Sequence, residues 1–136
     1  MISKENKLFK EIDKPLASKT ISKDEKKGIT ERQSSWTGQI KGIRLFPSGT
    51  TEGKGNSKIF ANGITISDWQ GIFSTEKKYQ ISFIGKDVSK NGKFYVIRTF
   101  FTDDVELGWI NGLVCILDGK HDIEKNSFVC TGYKLM

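Results

Sequence analysis

The sequence of 136 residues is poor in the side chains on which most metalloproteins and hydrolases depend. It contains one histidine, His121, and two cysteines, Cys115 and Cys130, which lack a CxxC spacing. A zinc site built from histidine and cysteine is therefore excluded, and a Ser-His-Asp triad would depend on His121 alone. His121 is predicted to lie in an exposed loop. We expect no catalytic residue, no metal ligand and no cofactor.

Long apolar stretches and concentrated charge are also missing. No stretch approaches the length of a membrane span, and Met1 to Asn6 lack the apolar segment of a signal peptide. The net charge of +6 is spread along the chain, because residues 1–33 hold nine basic and six acidic side chains and the remainder thirteen and ten. This pattern favours a solvated lysine-rich surface over a nucleic-acid partner. We expect a cytoplasmic protein without membrane contact.

What the chain does contain is a series of short apolar runs separated by glycine. All 14 glycines lie from Gly28 onward. Asn62-Gly63 and Asn91-Gly92 are typical of hairpin turns, and a third turn is predicted within residues 118–126. Residues 49–55 are predicted to form a loop. The pattern predicts an all-β fold, a single antiparallel barrel of about eight strands. The predicted apolar strands cover residues 36–46, 58–60, 64–73, 79–84, 94–101, 107–117 and 128–135.

Residues 1–33 differ from this pattern and are predicted to form a charged N-terminal arm, separate from a barrel domain of residues 34–136. Ser3 could cap a short helix in which Leu8, Phe9 and Ile12 share one face, and Pro15 would end it. The rest of the arm is predicted to be irregular and partly flexible. It could plug a barrel end, cover an exposed edge or stay mobile.

Several segments, taken in order, resemble a known group of proteins. The most specific are Arg98-Thr99 and the element from Leu107 to Asn111-Gly112, with Trp36-Thr-Gly38 before them. They resemble a family of uncharacterised microbial small β-barrel proteins related in form to the allene-oxide-cyclase barrel. The resemblance covers residues 34–135 and implies an eight-stranded, calycin-like barrel, but no activity. The last strand departs from the family pattern, in which an aromatic-acidic strand stands where this chain has Cys130-Thr-Gly-Tyr.

Arg98 interrupts a strand that is apolar on both faces. One face is predicted to line the lumen and the other to be covered by the arm or by a second subunit, so a homo-oligomer, most simply a dimer, is expected. The guanidinium either pairs with a carboxylate and pins the barrel, or binds a ligand. The candidate partners are Asp68, Asp103, Asp104 and Glu106.

Asn111 and the cysteines leave further alternatives open. Asn111 alternates with Leu107, Trp109 and Leu113, so its buried amide either satisfies nearby backbone or orients a ligand. A hairpin centred near His121 would place Cys115 opposite Cys130. They could form a disulfide, but two buried free thiols are favoured.

The leading hypothesis is a non-enzymatic barrel that binds a small apolar or aromatic ligand in its lumen. The residues predicted to line or gate that lumen are Trp69, Tyr95, Arg98, Trp109 and Asn111. One alternative is an isomerase or cyclase acting on a reactive hydrophobic intermediate, with Tyr95, Asp68 or Glu106 handling protons. The others are a single-stranded nucleic-acid binder and a purely structural barrel, filled by its own side chains, that oligomerises.

Overall fold

The computed structural model describes residues 4–136, which form a closed antiparallel barrel of eight strands. Each strand pairs with the next along the chain, and the first pairs with the last. The predicted all-β barrel is confirmed. No helix in the described part of the chain is long and apolar enough to cross a membrane. The strands are β1 (Lys7–Asp24), β2 (Ile29–Gly42), β3 (Gly49–Ile59), β4 (Thr65–Thr75), β5 (Gln80–Lys90), β6 (Lys93–Phe101), β7 (Val114–Asp122) and β8 (Ser127–Lys134).

The N-terminal segment is where the structure differs most from the sequence prediction. Leu8, Phe9 and Ile12 lie in β1 and not in a helix, while the predicted cap Ser3 falls outside the described residues. Phe9 and Glu11 are fully buried, whereas Ile12 is half exposed, which is the alternation of a strand. The apolar residues of this segment have a helical spacing because Glu11, a charged residue, occupies an inward position of the strand, where an apolar residue is expected. Residues 9–13 pair with strands on both sides and are therefore part of the barrel wall.

The distal part of β1 extends beyond the rim of the barrel as a long hairpin with β2. Pairing of β1 with β8 ends at Asp13, whereas pairing with β2 continues to Asp24. Pro15, register shifts between Pro15 and Ala17 and between Thr20 and Ser22, and several lysines mark this free edge. Proline, bulges and lysine hinder the addition of another strand to a sheet edge.

One half of the lumen is filled by aromatic rings. Phe46, from the loop between β2 and β3, lies 4.8 Å from the ring of Phe9 and stacks on Phe73 at 6.1 Å. Ile110 and Leu113, from the connection between β6 and β7, are also buried there. The strand predicted for residues 107–117 begins only at Val114, because residues 107–113 form turns that close this end.

Inward glycines make room for these and other rings. Cβ atoms built on Gly53 and Gly55 would lie 2.6 Å from Trp36 Cε2 and 2.9 Å from Trp69 Cδ2, far inside van der Waals contact. Residues 49–55 belong to β3, so the predicted loop at these positions is wrong. Its glycines stand where a side chain would displace an indole ring of the neighbouring strand.

The positions of the turns set the register of the hairpins and the places of the two cysteines. Gly63, Asn91 and Gly92 have φ of 86°, 53° and 80°, so both Asn-Gly hairpins are confirmed. The last hairpin turns later than predicted, after Asp122, and so Cys115 lies opposite Lys134, and not opposite Cys130. Both are buried free thiols, and burial raises the pKa of Cys115 to about 12.

Replacing Gly132 by alanine tests the fit between glycines and rings. The new Cβ would lie 2.6 Å from Cε2 of the fully buried Phe9. We expect Gly132→Ala to lower the free energy of unfolding by about 1–3 kcal/mol through overpacking, although alanine suits a strand better than glycine does. Urea denaturation measures this change. The control is Gly108→Ala, at an exposed position with φ of −56°; equal stability of the two variants would contradict the packing argument.

Candidate functional site

The half of the barrel opposite the aromatic plug contains a cavity of about 380 Å³. It opens between the four hairpins that join β1 to β2, β3 to β4, β5 to β6 and β7 to β8. Inward positions at this level carry small side chains, including Ser57, Ser67 and Ser89, where the plugged half carries phenylalanines. Five aromatic side chains also line the cavity, beside aliphatic, polar and charged ones: Trp36, Trp69, Phe94, Phe128 and His121.

Arg98, on β6, lines the floor of the cavity and forms a buried ion pair with Glu11 on β1. Arg98 Nη1 donates to Glu11 Oε1 at 2.6 Å and Nη2 donates to Oε2 at 3.1 Å. Arg98 Cζ lies 4.3 Å from the centre of the Phe83 ring. The partner is not one of the predicted carboxylates: Asp68, for example, pairs with Lys86 on the outer surface. Glu11 is absent from the predicted partners because the apolar spacing around it predicts a helix outside the barrel.

Asp13 lies beside this pair and adds a second carboxyl group to the floor. Burial and the neighbouring Glu11 raise the pKa of Asp13 well above its ordinary value. Burial also opposes ionisation of Glu11, but the charge and hydrogen bonds of Arg98 outweigh it, so the pKa of Glu11 lies below its ordinary value. The floor therefore combines one guanidinium with two carboxyl groups whose pKa values are shifted in opposite directions.

The same acidic groups approach one another closely enough to suggest a metal site. Ligand atoms of Glu11, Asp13 and Cys130 lie within 4.8 Å of one another. Both oxygens of Glu11, however, already accept hydrogen bonds from Arg98, whose positive charge stands beside the cluster. A metal ion would have to displace this bidentate contact. The arrangement therefore fits an ion pair better than a metal centre.

Asp87 is a third carboxyl group, carried by β5 on the cavity wall. Trp69 Nε1 donates to its Oδ2 at 3.3 Å, whereas Oδ1 is buried and has no hydrogen-bond partner within residues 4–136. Burial raises the pKa of Asp87 to about 6, although the hydrogen bond from Trp69 acts in the opposite direction. Ser67, its cross-strand neighbour on β4, shares a 2.7 Å hydrogen bond with Ser57.

His121 lies at the cavity mouth and not in an exposed loop. It belongs to β7, is half-buried, and stacks on Phe128 with ring centres 4.5 Å apart. Its Nε2 lies 3.2 Å from Asn126 Oδ1. The hairpin begins one residue beyond Asp122, so the imidazole forms part of the aromatic rim.

The five residues predicted to line the lumen do not lie together. Trp69 and Arg98 line the cavity. Tyr95 is on the outer surface, 5.0 Å from Lys93 Nζ, and Trp109 packs against Phe46 at the plugged end. Asn111 is exposed and accepts a hydrogen bond from the Thr102 amide at 3.1 Å. Trp69 and Arg98 alone remain candidates for contact with a ligand in this cavity.

Asp13 and Asp87 were not among the predicted site residues. The alternation along β5 could have revealed Asp87, since Ile81 and Phe83 are buried and Asp87 continues the same face. Asp13 could be found only by treating its segment as a strand.

The outer face of β5 and β6 stays exposed. Ile84 and Ile97 are 54% and 51% exposed, so the N-terminal segment does not cover this face as one alternative required. Coverage by a second subunit stays a prediction.

Solved structures share this fold at low sequence identity, and no protein-family model or curated relative matches the chain. An enzyme from Penicillium herquei aligns with a TM-score of 0.72 and 17% identity over 93% of this chain and 91% of its own. A protein of unknown function from Clostridium acetobutylicum gives 0.77 and 13% over 96% and 97%. A β-barrel-like protein from Acinetobacter baumannii gives 0.79 and 16% over 95% and 93%. These comparisons define the class as a small closed antiparallel β-barrel.

Removing the guanidinium from the floor should destabilise the barrel strongly. In Arg98→Met, Glu11 is left buried without its cation, and we expect a loss of about 3–5 kcal/mol at neutral pH. Because the pKa of Glu11 would then be raised, the deficit should shrink as the pH falls and Glu11 is protonated. The control is Lys86→Met, which breaks the exposed pair with Asp68 and should cost under about 1 kcal/mol. Similar losses in both variants would contradict the role assigned to the buried pair.

Replacing Asp87 should stabilise the protein. Because the pKa of Asp87 in the folded protein is raised to about 6, its protonated form favours folding. This contribution to the free energy of unfolding is present at low pH and is lost as the pH rises through 6. A pKa raised from 3.8 to about 6 corresponds to about 3 kcal/mol, so Asp87→Asn should be about 2–3 kcal/mol more stable than the wild type at pH 7.5. The difference should vanish near pH 4 in chemical denaturation. Asp68→Asn is the exposed control, and a pH-independent effect of Asp87→Asn would contradict the prediction.

Proposed function

We propose that this barrel binds a small, largely apolar or aromatic ligand in the open half of its lumen. The observation that carries the proposal is the cavity of about 380 Å³, which falls within the usual size range of ligand sites. Five aromatic side chains line it, and the buried ion pair of Arg98 with Glu11 fixes Arg98 in its floor. Arg98 Nε and Asp87 Oδ1, which lack a hydrogen-bond partner in the described chain, supply one donor and one acceptor that could orient a ligand.

The expected affinity is modest. Burying about 250 Å² of apolar ligand surface would contribute about 6 kcal/mol at ~25 cal/mol per Å². Loss of translational and rotational freedom offsets part of this gain, but a preformed cavity avoids the additional cost of ordering the protein. Dissociation constants in the micromolar to millimolar range follow.

A cyclase or isomerase is the second candidate function. It is supported by the inward carboxyl groups Asp13 and Asp87, both of which have a raised pKa and line the cavity. The proton-handling residues suggested by the sequence, Tyr95, Asp68 and Glu106, are exposed. The structural neighbour from Penicillium herquei is an enzyme. We propose a cyclase because the sequence also resembles proteins related in form to the allene-oxide-cyclase barrel. A filled structural barrel is disfavoured by the cavity itself.

A cavity-filling variant tests ligand binding directly. Ser89 and Ser82 lie on the same strand, but Ser89 lines the cavity and Ser82 is exposed on the outer surface. We expect Ser89→Phe to weaken binding of the neutral fluorescent probe N-phenylnaphthylamine at least tenfold, since the new ring occupies the site. Ser82→Phe should leave the affinity unchanged. Equal affinity for all three proteins would place the probe elsewhere and contradict the proposal.

Native mass spectrometry of freshly purified protein distinguishes the two candidate functions. A binding protein should release the same molecule it was loaded with. A cyclase should convert a captured precursor into an isomer of equal mass and different retention on chromatography. The same spectrum reports whether the chain is a dimer, as the exposed outer face of β5 and β6 predicts.

A further inference from the structure

Asp87 brings a negative charge into the aromatic cavity without a positive charge beside it. Its Oδ2 accepts from Trp69 at 3.3 Å, and its buried Oδ1 is unpaired within residues 4–136. In the same part of the chain no lysine or arginine forms a salt bridge with it. A carboxylate held away from water is unfavourable unless a partner supplies hydrogen bonds and charge.

The charged groups around the cavity do not supply that partner. The strands next to β5 face Asp87 with uncharged side chains, Ser67 and Trp69 from β4 and Phe94 and Val96 from β6. Arg98, also on β6, is engaged by both oxygens of Glu11.

Four further titratable groups line the cavity on other strands. Asp13 on β1 and Cys130 on β8 carry no positive charge in either protonation state. Arg32 on β2 is exposed to solvent, and His121 on β7 lies at the mouth, stacked on Phe128. None of these groups contributes to the raised pKa of Asp87, which burial alone drives upward against the hydrogen bond from Trp69.

The walls around this carboxyl group also suit a cation. Aromatic faces carry negative potential and attract organic cations, most strongly when water is excluded. Trp36, Trp69 and Phe94 line the cavity, and the stacked pair of His121 and Phe128 stands at its mouth. Two carboxylate oxygens in this lining, Asp13 Oδ1 and Asp87 Oδ1, are buried without a hydrogen-bond partner in the described chain. Asp13 stands beside the Glu11–Arg98 pair, whereas Asp87 lies next to the Trp69 indole with no cation in contact, so the rings around Asp87 form a surface complementary to a protonated amine.

We propose that the cavity selects organic cations, namely a protonated amine carried on a flat apolar body, whose N–H group donates to Asp87 Oδ1. This inference rests on the ligand-binding function proposed above and narrows its ligand class. The apolar body occupies the space between the indole rings, and the ammonium group provides the charge that the buried carboxylate lacks. Because the pKa of Asp87 is raised to about 6, the preference for a cation is present above pH 6 and is lost below it.

Three probes of similar shape and different charge test this inference. They are naphthylmethylamine, which is a cation at neutral pH, naphthylmethanol, which is neutral, and naphthoate, which is an anion. Isothermal titration calorimetry at pH 7.5 should show that the amine binds at least tenfold more tightly than the alcohol, and the anion most weakly. The advantage of the amine over the alcohol should disappear at pH 5 and in Asp87→Asn.

A control variant and the order of the three affinities distinguish failure of cation selection from failure of ligand binding. Asp68→Asn removes an exposed carboxylate on the neighbouring strand and should leave the order of the three probes unchanged. If the alcohol binds as tightly as the amine, or naphthoate binds best, cation selection is wrong while ligand binding stands. If none of the probes binds, both the inference and the proposed function fail. Circular dichroism of Asp87→Asn establishes that the variant is folded, so loss of the preference reports on the carboxylate.

Discussion

The buried ion pair between Glu11 and Arg98 is the interaction on which the arrangement of this barrel depends. It connects the first strand to the sixth across the lumen, with both side chains almost completely removed from water. A pair so buried is tolerated only with bidentate geometry, and a lone partner would be strongly unfavourable. A slip of β1 by one residue would turn Glu11 to the outer surface and leave Arg98 unpaired. The pair therefore fixes the register of β1 against both β2 and β8.

The ion pair also marks the boundary between two halves with different side-chain volumes. On one side, the rings of Phe9, Phe46, Phe73 and Phe100 fill the cylinder, and inward glycines give them room. On the other side, inward serines leave the space that forms the cavity. Side-chain size at each level of the lumen, with little change in backbone, thus determines where the barrel is solid and where it is open.

The sequence predicted the barrel from glycine-separated strands and two Asn-Gly turns, because these signals are local. It failed where local patterns were ambiguous. Leu8, Phe9 and Ile12 fit a helix as well as a strand until the pairing of β1 with β2 decides between them. The partner of Arg98 lies 87 positions away, a separation that spacing alone does not reveal. Asn111 and Trp109 alternate as in a strand, yet they lie in turns that close the plugged end.

The open half combines two features that reduce stability. A cavity forfeits the contacts that side chains would make if they filled it, and Asp87 is a buried carboxylate without a cation among the described residues. The plugged half has well-packed rings, and both oxygens of Glu11 are paired with Arg98 at the boundary, so the empty space and the unpaired oxygen of Asp87 lie on the open side. Ligand-binding sites commonly contain empty space and polar atoms without hydrogen-bond partners, because the bound ligand fills the space and supplies the partners. A ligand that is apolar over most of its surface and carries one positive charge would fill the cavity and pair with Asp87 at the same time.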